Sequence, residues 1–317
     1  MKPILFVILV LAGAVAHAAQ TPSALVDADW LNEHLNQDQL VVLDVRSGID
    51  NGGDRSSFQQ AHIPGSRYSS YTGDGWRENR DGVQGVLPPV ASLERLIGSL
   101  GIGNEDTVVI VPAGTGATDF GSAARVYWTF RVLGHDQVAI LNGGFAGWRA
   151  AGFQVASGEG ADYELAKFSG RLQPELIATL AEVEQARESQ AQLVDARPAD
   201  YFRGETQSPA AKAPGTIPGA RNLPHHQFVG QRDEVFYLDA ERVTGQVNAA
   251  ELDPAARTIS FCNTGHWAAT DWFVLSELAG FQEVALYDGS MSEWSQDSSR
   301  PIQVARKGLG KLLDLFD

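Results

Sequence analysis

The chain has 317 residues and a formal net charge of −15, with 44% hydrophobic and 20% charged residues. This length accommodates two domains with cores of their own, and this composition excludes a disordered or fibrous protein. The acidic excess argues against nucleic-acid binding, because a nucleic-acid-binding face requires clustered basic residues.

The N-terminus has the pattern of a secretory signal peptide. Lys2 precedes an apolar run over residues 4–15, and Ala16-His17-Ala18 then offers small residues around a spacer. We expect cleavage before Ala19, so that residues 1–18 are the signal peptide and the mature protein is periplasmic or secreted, with no membrane attachment. A membrane anchor is the alternative, but the apolar run is short for a bilayer span.

Short apolar segments alternate with helical patterns along the first half of the chain. Helices are predicted at residues 30–35, 93–100 and 123–133, and buried strands at residues 41–45, 108–111 and 138–141. Apolar strands of this length separated by helices are typical of a parallel sheet covered on both faces. The predicted fold class is therefore α/β.

The second half of the chain repeats the first. The matching pairs of segments are 40–46 and 192–197, 62–67 and 216–221, 107–111 and 258–261, and 138–143 and 284–289. Trp148 and Trp294 follow the last segment of each copy. Because the order is conserved between the halves and the offset stays at roughly 150 residues, the sequence predicts two copies of one domain.

The repeat sets the predicted domain boundaries. The first domain covers residues 19–156, a small, polar, glycine-containing linker covers 157–170, and the second domain covers 171–304. Residues 204–215 interrupt the second copy and are predicted to form an exposed loop. The tail, residues 305–317, has Leu309, Leu312, Leu313 and Phe316 at helical spacing, which favours a helix docked on the second domain over a partner-binding segment.

Cys262 is the only cysteine of the chain, so no internal disulfide can form. It follows a short apolar strand and precedes an amphipathic helix, where backbone N–H groups without helical partners and the helix dipole favour a thiolate. A lone cysteine is commonly a small buried apolar residue. Its position beyond the carboxyl end of a strand, where ligands bind in parallel α/β sheets, instead predicts a nucleophile or a carrier of negative charge.

Taken together, these motifs resemble the tandem rhodanese family of sulfurtransferases, whose members act on thiosulfate or 3-mercaptopyruvate. The shared features are the Asp-x-Arg strand ends, the Ile-Pro-Gly turns, the six-residue loop from Cys262 to Trp267 and the Gly-to-Trp segments. The resemblance covers about residues 21–302 and implies two rhodanese-like domains, each a parallel five-stranded sheet flanked by helices. It implies no cofactor and no metal.

The resemblance also implies a two-step reaction. Cys262 would take a sulfane sulfur from a small anionic donor, thiosulfate or 3-mercaptopyruvate, and the resulting persulfide would pass it to cyanide or to a thiol, a protein thiol included. The persulfide is anionic, and the backbone N–H groups of the loop would surround it. The predicted binding loop consists of Asn263, Thr264, Gly265, His266, Trp267 and Ala268, and Gly265 is expected to need positive φ.

The first copy carries no cysteine at the matching place, residues 111–117, where Pro112 also removes a backbone donor. We therefore expect the first domain to shape the cleft without reacting. Asp44 with Arg46, and Asp195 with Arg197, are expected to brace the two strand ends. His225 and His226 are expected to be surface or cleft-lining residues, since no further ligand accompanies them.

The sequence departs from both substrate patterns of the family. Asn263 and Thr264 stand where thiosulfate-preferring members carry basic residues. Tyr201 and the region of residues 210–211 stand where mercaptopyruvate-preferring members carry arginines, and Arg203 and Lys212 are near but out of register. We take Tyr201 and Arg203 as candidate cleft residues.

Two bulky loop residues leave open alternatives. His266 either stabilises an anionic donor or shapes the pocket rim, while Trp267 is expected to pack under the loop. The competing functions are a non-enzymatic sulfur-relay or binding partner and a phosphatase or arsenate reductase. Residues 263–270 contain no arginine to clamp an oxyanion, which argues against the last.

Overall fold

Apolar, largely β-branched segments form two parallel sheets. In the computed structural model, which describes residues 22–305, the first sheet has five strands in the spatial order Leu25–Val26, Val138–Leu141, Thr107–Val111, Leu40–Asp44 and Arg67–Tyr68. The second sheet has four, in the order Val284–Leu286, Thr258–Phe261, Gln192–Asp195 and Arg221–Asn222. All neighbouring strands are parallel, which confirms the predicted α/β class.

The second sheet lacks the fifth strand that the resemblance implies, and a single residue pair lies in its place. Ile177 forms an isolated parallel bridge with Leu286. In the first sheet the corresponding edge is occupied by Leu25–Val26, which pairs with Val138–Leu141. Five strands therefore form in the first domain, whereas the second domain has four strands and this bridge.

Helices cover both faces of the sheets. The α-helices are Ala28–His34, Arg55–Gln60, Val90–Ser99, Ala117–Val132, Gly144–Ala150, Leu180–Ala186, Ala199–Phe202, Ala240–Ala249, Trp267–Phe273 and Ser290–Trp294. The π-turn Val274–Leu278 continues the helix from Trp267, and single 3₁₀ turns lie at Ile49–Asn51, Pro174–Leu176 and His225–Phe228. The described residues also form two antiparallel hairpins. In the first, Glu78–Arg80 pairs with Val83–Val86, and in the second, Val229–Arg232 pairs with Val235–Leu238.

The domains join through a pair of helices that each follow the central strand of their own sheet, Ala117–Val132 and Trp267–Phe273. Tyr127 meets Phe273 edge-to-face at 4.9 Å, and its hydroxyl donates to Glu277. Because both helices start at the carboxyl ends of central strands, their packing brings the two corresponding loops to one interdomain cleft.

The segment 204–215 is irregular, and the prediction that it is exposed is only partly right, because exposed and buried residues alternate along it. Ala211 is buried in the second core, and Ser208, Pro209 and Ala210 line the interdomain cleft. The backbone N–H of Lys212 donates to Ser295, which holds the segment against the last helix. The insertion is therefore a wall of the cleft.

No helix within residues 22–305 is long and apolar enough to cross a bilayer. The predicted signal peptide and the leucine-containing segment of the tail lie outside the described residues.

Candidate active site

Cys262 lies directly after the strand Thr258–Phe261, and the loop it opens leads into the helix that begins at Trp267. Its side chain is only 1% exposed, yet it lines a cleft of about 640 Å³ between the domains. A thiol in this position is shielded from bulk solvent and accessible to a small molecule that enters the cleft.

The Cys262 loop, residues 262–267, is held from below by Ser290. The Ser290 hydroxyl accepts hydrogen bonds from the backbone N–H of Cys262 at 3.0 Å and of Gly265 at 3.1 Å, and donates to the Tyr287 carbonyl. Ser290 is fully buried and has φ of 49°, in the left-handed region. No motif in the sequence indicates a role for this residue.

Gly265 curls the loop with φ of 70°, as expected. A Cβ atom there would collide with the Arg125 guanidinium and with the Asp288 backbone. Arg125, a fully buried residue of the first domain, donates to the Gly265 carbonyl at 3.0 Å and pairs with Asp288 at 3.3 Å. The Cys262 loop of the second domain is therefore held in place by Arg125 of the first domain.

The two domains differ in the hydrogen-bond acceptors of their corresponding loops. In the first copy, the Asp119 carboxylate accepts from the backbone N–H groups of Ala113 and Gly114, at 3.2 and 2.7 Å. In the second, the N–H groups of Asn263 and Thr264 have no acceptor among residues 22–305. The first nest is filled by its own chain, whereas the one beside Cys262 is available to an anion.

A match to the model of the rhodanese-like domain covers residues 27–151 and again residues 179–297. The chain belongs to the rhodanese family.

Similar proteins span nearly the whole chain. It is 31% identical to the rat 3-mercaptopyruvate sulfurtransferase, over 98% of this chain and 99% of that protein. It is 29% identical to the mitochondrial thiosulfate/3-mercaptopyruvate sulfurtransferase 1 of Arabidopsis thaliana, over 92% of this chain and 81% of the relative. This tandem rhodanese is therefore an enzyme of the sulfurtransferase class.

The fold agrees with that of a solved family member. The 3-mercaptopyruvate sulfurtransferase SseA from Escherichia coli superposes with a TM-score of 0.72 at 24% identity, covering 85% of this chain and 99% of the other. At this identity the likeness establishes the shared architecture of two rhodanese domains.

His266 is a neutral bridge between the two rhodanese domains. Its Nδ1 accepts a hydrogen bond from the Tyr71 hydroxyl at 2.7 Å, and its Nε2 donates to the Thr118 carbonyl at 2.8 Å. Burial, reinforced by the nearby charge of Arg77, lowers the pKa of His266 to about 3. With both ring nitrogens engaged and no charge at neutral pH, His266 does not act as a cation for the donor.

Trp267 forms part of the cleft wall. It stacks on His225 with ring centroids 4.7 Å apart and meets Tyr201 edge-on. His225 is buried and donates from Nδ1 to the Ala196 carbonyl, and burial lowers its pKa to about 4. Of the loop residues expected to surround the persulfide, Asn263, Thr264, His266 and Trp267 line the cleft with Cys262, whereas Gly265 and Ala268 are buried behind it.

The two candidate cleft residues separate. Tyr201 lines the cleft, but Arg203 lies on the surface, where its side chain is 45% exposed and pairs with Glu205 at 2.8 Å. The backbone amide of Ala305 donates to the Arg203 carbonyl on the same surface. Arg203 therefore does not join the site, because the short helix Ala199–Phe202 turns it outward.

The brace expected at the second strand end also touches the loop. Arg197 donates to Asp195 at 2.9 Å and to the Gly215 carbonyl, and its Nη1 reaches the Asn263 side chain at 3.4 Å. The first-domain counterpart, Arg46 with Asp44, makes the same pair. These ion pairs anchor the strand ends from which the loops start.

One wall of the cleft comes from the first-domain hairpin, residues 76–87, which belongs to none of the motifs in the sequence. Arg77, Asn79 and Gln84 line the cleft from this segment. No pattern in the sequence distinguishes it, because its residues approach Cys262 only through the packing of the two domains. Within residues 22–305, no group of three or more His, Cys, Asp or Glu side chains could hold a metal ion.

Proposed function

We propose that the chain is an extracytoplasmic sulfurtransferase that carries sulfane sulfur as a Cys262 persulfide. The donor is thiosulfate or 3-mercaptopyruvate, and the acceptor is cyanide or a thiol. The observation that carries the proposal is the open set of loop N–H groups beside Cys262, against the carboxylate-filled set in the other domain. The N-terminal signal pattern supports the location outside the cytoplasm.

The chemistry is nucleophilic covalent catalysis in two displacements. With thiosulfate, the Cys262 thiolate attacks the outer sulfur, the S–S bond of the donor breaks and sulfite leaves with the bonding electron pair. With 3-mercaptopyruvate, the C–S bond breaks and the pyruvate enolate leaves and is protonated. The acceptor then attacks the terminal sulfur of the persulfide and regenerates the thiolate. No external oxidant or reductant is required.

Backbone N–H groups are suited to stabilise the anionic intermediate. The persulfide is an anion in both half-reactions, and preorganised donors stabilise it without reorganisation at each step. The nest is anchored at two of its amides by Ser290 and at Gly265 by Arg125, so its geometry is set before the donor arrives. A rigid nest lowers the energy of the persulfide relative to free thiol and donor.

The burial of Cys262 favours small donors over a protein donor. The Cys262 side chain is 1% exposed and lines a cleft of about 640 Å³, a volume that suits a small molecule such as thiosulfate or 3-mercaptopyruvate. A relay partner, which would receive persulfide sulfur from another protein, requires that the second thiol enter the same cleft.

The test is intact mass spectrometry after incubation with thiosulfate, 3-mercaptopyruvate or polysulfide, with Cys262→Ser as the matched control. The expected result is an increase by the mass of one sulfur atom in the native chain and none in the variant. Absence of the adduct with every donor contradicts the proposal. Turnover to cyanide or a small thiol separates the enzyme from a relay, which loads sulfur but does not release it to these acceptors.

A further inference from the structure

The interdomain cleft contains one basic side chain to which the proposed reaction assigns no role. Arg77 is the only arginine or lysine among the described residues that line the cleft. The one carboxylate of the lining, Glu78, is engaged with Arg80 at 2.6 Å. Arg77 itself makes no ion pair within residues 22–305, where its hydrogen bond goes to the Tyr71 hydroxyl. A cation held in a cleft without a carboxylate partner is suited to bind an anion.

One side of the guanidinium is fixed. Its Nη1 donates to the Tyr71 hydroxyl at 2.9 Å, and the group lies over the Tyr71 ring, 5.4 Å from the centroid. Tyr71 is in turn held by His266. Burial lowers the pKa of Arg77, but Tyr71, Cys262 and Asp288 more than offset this and raise it, so the guanidinium stays charged beside the thiol.

The segment that carries Arg77 is pinned to the second domain. The backbone N–H of Gln84 donates to Ser292 at 3.0 Å, and that of Leu87 donates to Asp288 at 2.6 Å. Arg125 also donates to the Gly85 carbonyl. The bonds to Ser292 and Asp288 attach the first-domain hairpin to the residues that follow the last strand of the second sheet, and Arg125 links it to the Cys262 loop through the Gly265 carbonyl. These hydrogen bonds therefore fix the position of Arg77 relative to the Cys262 loop.

No arginine or lysine of the second domain, within the described residues, lines the cleft. Arg203 is on the surface in an ion pair, and the exposed Lys212 does not line the cleft. The loop positions Asn263 and Thr264 are uncharged.

We propose that Arg77, supplied by the first domain, is the specificity-determining residue that binds the anionic group of the sulfur donor. The group is the set of sulfonate oxygens of thiosulfate or the carboxylate of 3-mercaptopyruvate, and the inference rests on the proposed sulfurtransferase function. Arg77 and Gly85 both line the cleft, and a Cβ atom on Gly85 would lie 2.7 Å from the Arg77 Nη2. Within residues 22–305 the hydrogen bond of the guanidinium comes from Nη1, which leaves Nη2 for a ligand, and a planar guanidinium binds such oxygens with charge-assisted hydrogen bonds. The first domain thus contributes to donor binding although it forms no persulfide.

Steady-state kinetics of Arg77→Gln and of the control Arg203→Gln test the assignment. Loss of a charge-assisted contact is expected to raise KM for the donor by roughly 10- to 100-fold in Arg77→Gln, with a smaller change in kcat. Arg77→Lys, which retains the charge, is expected to recover part of the loss. Arg203→Gln is expected to match the native chain. An unchanged KM in Arg77→Gln, or a rise in Arg203→Gln instead, overturns the proposal.

A second measurement is independent of sulfur transfer. The rate at which Cys262 is alkylated by anionic iodoacetate is divided by its rate with neutral iodoacetamide. Arg77→Gln is expected to lower this ratio by roughly 10-fold while leaving the iodoacetamide rate unchanged, because a merely structural role would move both rates together. An unchanged ratio contradicts the anion site. If Arg77→Gln lowers the ratio but the native protein forms no persulfide, Arg77 is an anion site and the proposed sulfurtransferase function is wrong.

Discussion

The Ser290 hydroxyl accepts a hydrogen bond from the backbone N–H of Cys262 at 3.0 Å, and the two residues are brought together from consecutive strand ends of the second sheet. The counterpart of Ser290 in the first domain is Gly144, which shares the left-handed conformation with φ of 55°. A Cβ atom on Gly144 would collide with the Pro112 carbonyl. The hydroxyl support therefore exists only in the domain that carries the cysteine.

Replacing Ser290 by Ala is expected to slow sulfur loading of Cys262. The buried N–H groups of Cys262 and Gly265 lose their acceptor, which costs about 1–3 kcal/mol in unfolding free energy for each unpaired group. The loop then no longer presents a preorganised nest, and we expect the loading rate to fall by roughly 10-fold or more. Rapid-quench mass spectrometry with thiosulfate measures this rate.

Ser290→Gly is the matched control. It also removes the hydroxyl but relieves the left-handed backbone, a gain of roughly 1 kcal/mol. We expect it to be more stable than Ser290→Ala in urea unfolding and equally slow in loading. Native loading rates in both variants would show that the hydroxyl does not support the loop.

His266 is expected to leave no trace in the pH dependence of kcat/KM between pH 5 and 8. Its folded-state pKa of about 3 keeps it neutral throughout this range. The same shift makes folding sensitive to acid: the unfolded chain binds a proton near pH 6.5 and the folded chain does not, so stability contributed by His266 is lost as pH falls from about 6.5 towards 3.

The measurement compares His266→Gln with the native chain in activity profiles and in urea unfolding at pH 7 and pH 5. We expect superimposable profile shapes and a smaller loss of stability at pH 5 in the variant. Tyr71→Phe removes the same interdomain hydrogen bond while retaining the histidine, and it should therefore retain the acid sensitivity. A kinetic limb near pH 6.5 that disappears in His266→Gln would contradict the neutral assignment.

Asp119 is expected to destabilise the fold above neutral pH. Burial raises its folded-state pKa to about 7, against hydrogen bonds from Gly114 and Ala113 that lower it. Between its ordinary value of 3.8 and about 7, the folded chain binds more protons than the unfolded chain, so unfolding free energy falls as pH rises through this window. Asp119→Asn, measured by thermal unfolding at pH 5 and pH 8, should show a smaller fall. Equal falls in both proteins would contradict the shift.

Gly85→Ala is expected to disturb the donor site, because Gly85 has φ of 77° and a Cβ atom there would lie 2.7 Å from Arg77 Nη2 and 2.9 Å from the Thr264 carbonyl. We expect a higher KM for the donor in steady-state assays. Gly82→Ala is the control, since Gly82 has φ of 81° on the same hairpin but its nearest neighbour is a flexible glutamine amide at 3.4 Å. Both substitutions strain the backbone, and equal KM values would mean that the hairpin does not contact the donor site.

Much of the fold could be predicted from local patterns. The apolar segments 41–45, 108–111 and 138–141 contain or overlap observed strands of the first sheet, and the offset between the halves revealed the duplication. The isolated bridge at Ile177 could not be anticipated, because one residue pair leaves no periodic signal. The insertion at residues 204–215 was predicted to be exposed because of its polar, proline-containing composition, yet Ala211 packs in the core.

The residues of the candidate site were likewise only partly predictable from local sequence. The sequence favours Arg203 because it lies close to the expected arginine positions, but its side chain lies on the surface and pairs with Glu205. Arg77 and Ser290 were missed, because neither belongs to the loop motif and both reach it through contacts distant in the chain. Proximity in sequence does not determine which side chains share a cleft formed between two domains.

The sequence by itself determined the α/β class, the duplication, the position of Cys262 between a strand and a helix, and the absence of its counterpart in the first copy. These features depend on hydrophobic periodicity and on the identity of single residues, which are local properties. Only the tertiary structure decided that His266 is neutral, that the nest of the first domain is filled by Asp119, and that the cation of the cleft is Arg77. Burial and hydrogen-bond partners arise when the two domains pack together, and they set both the charge of each group and the surface it faces.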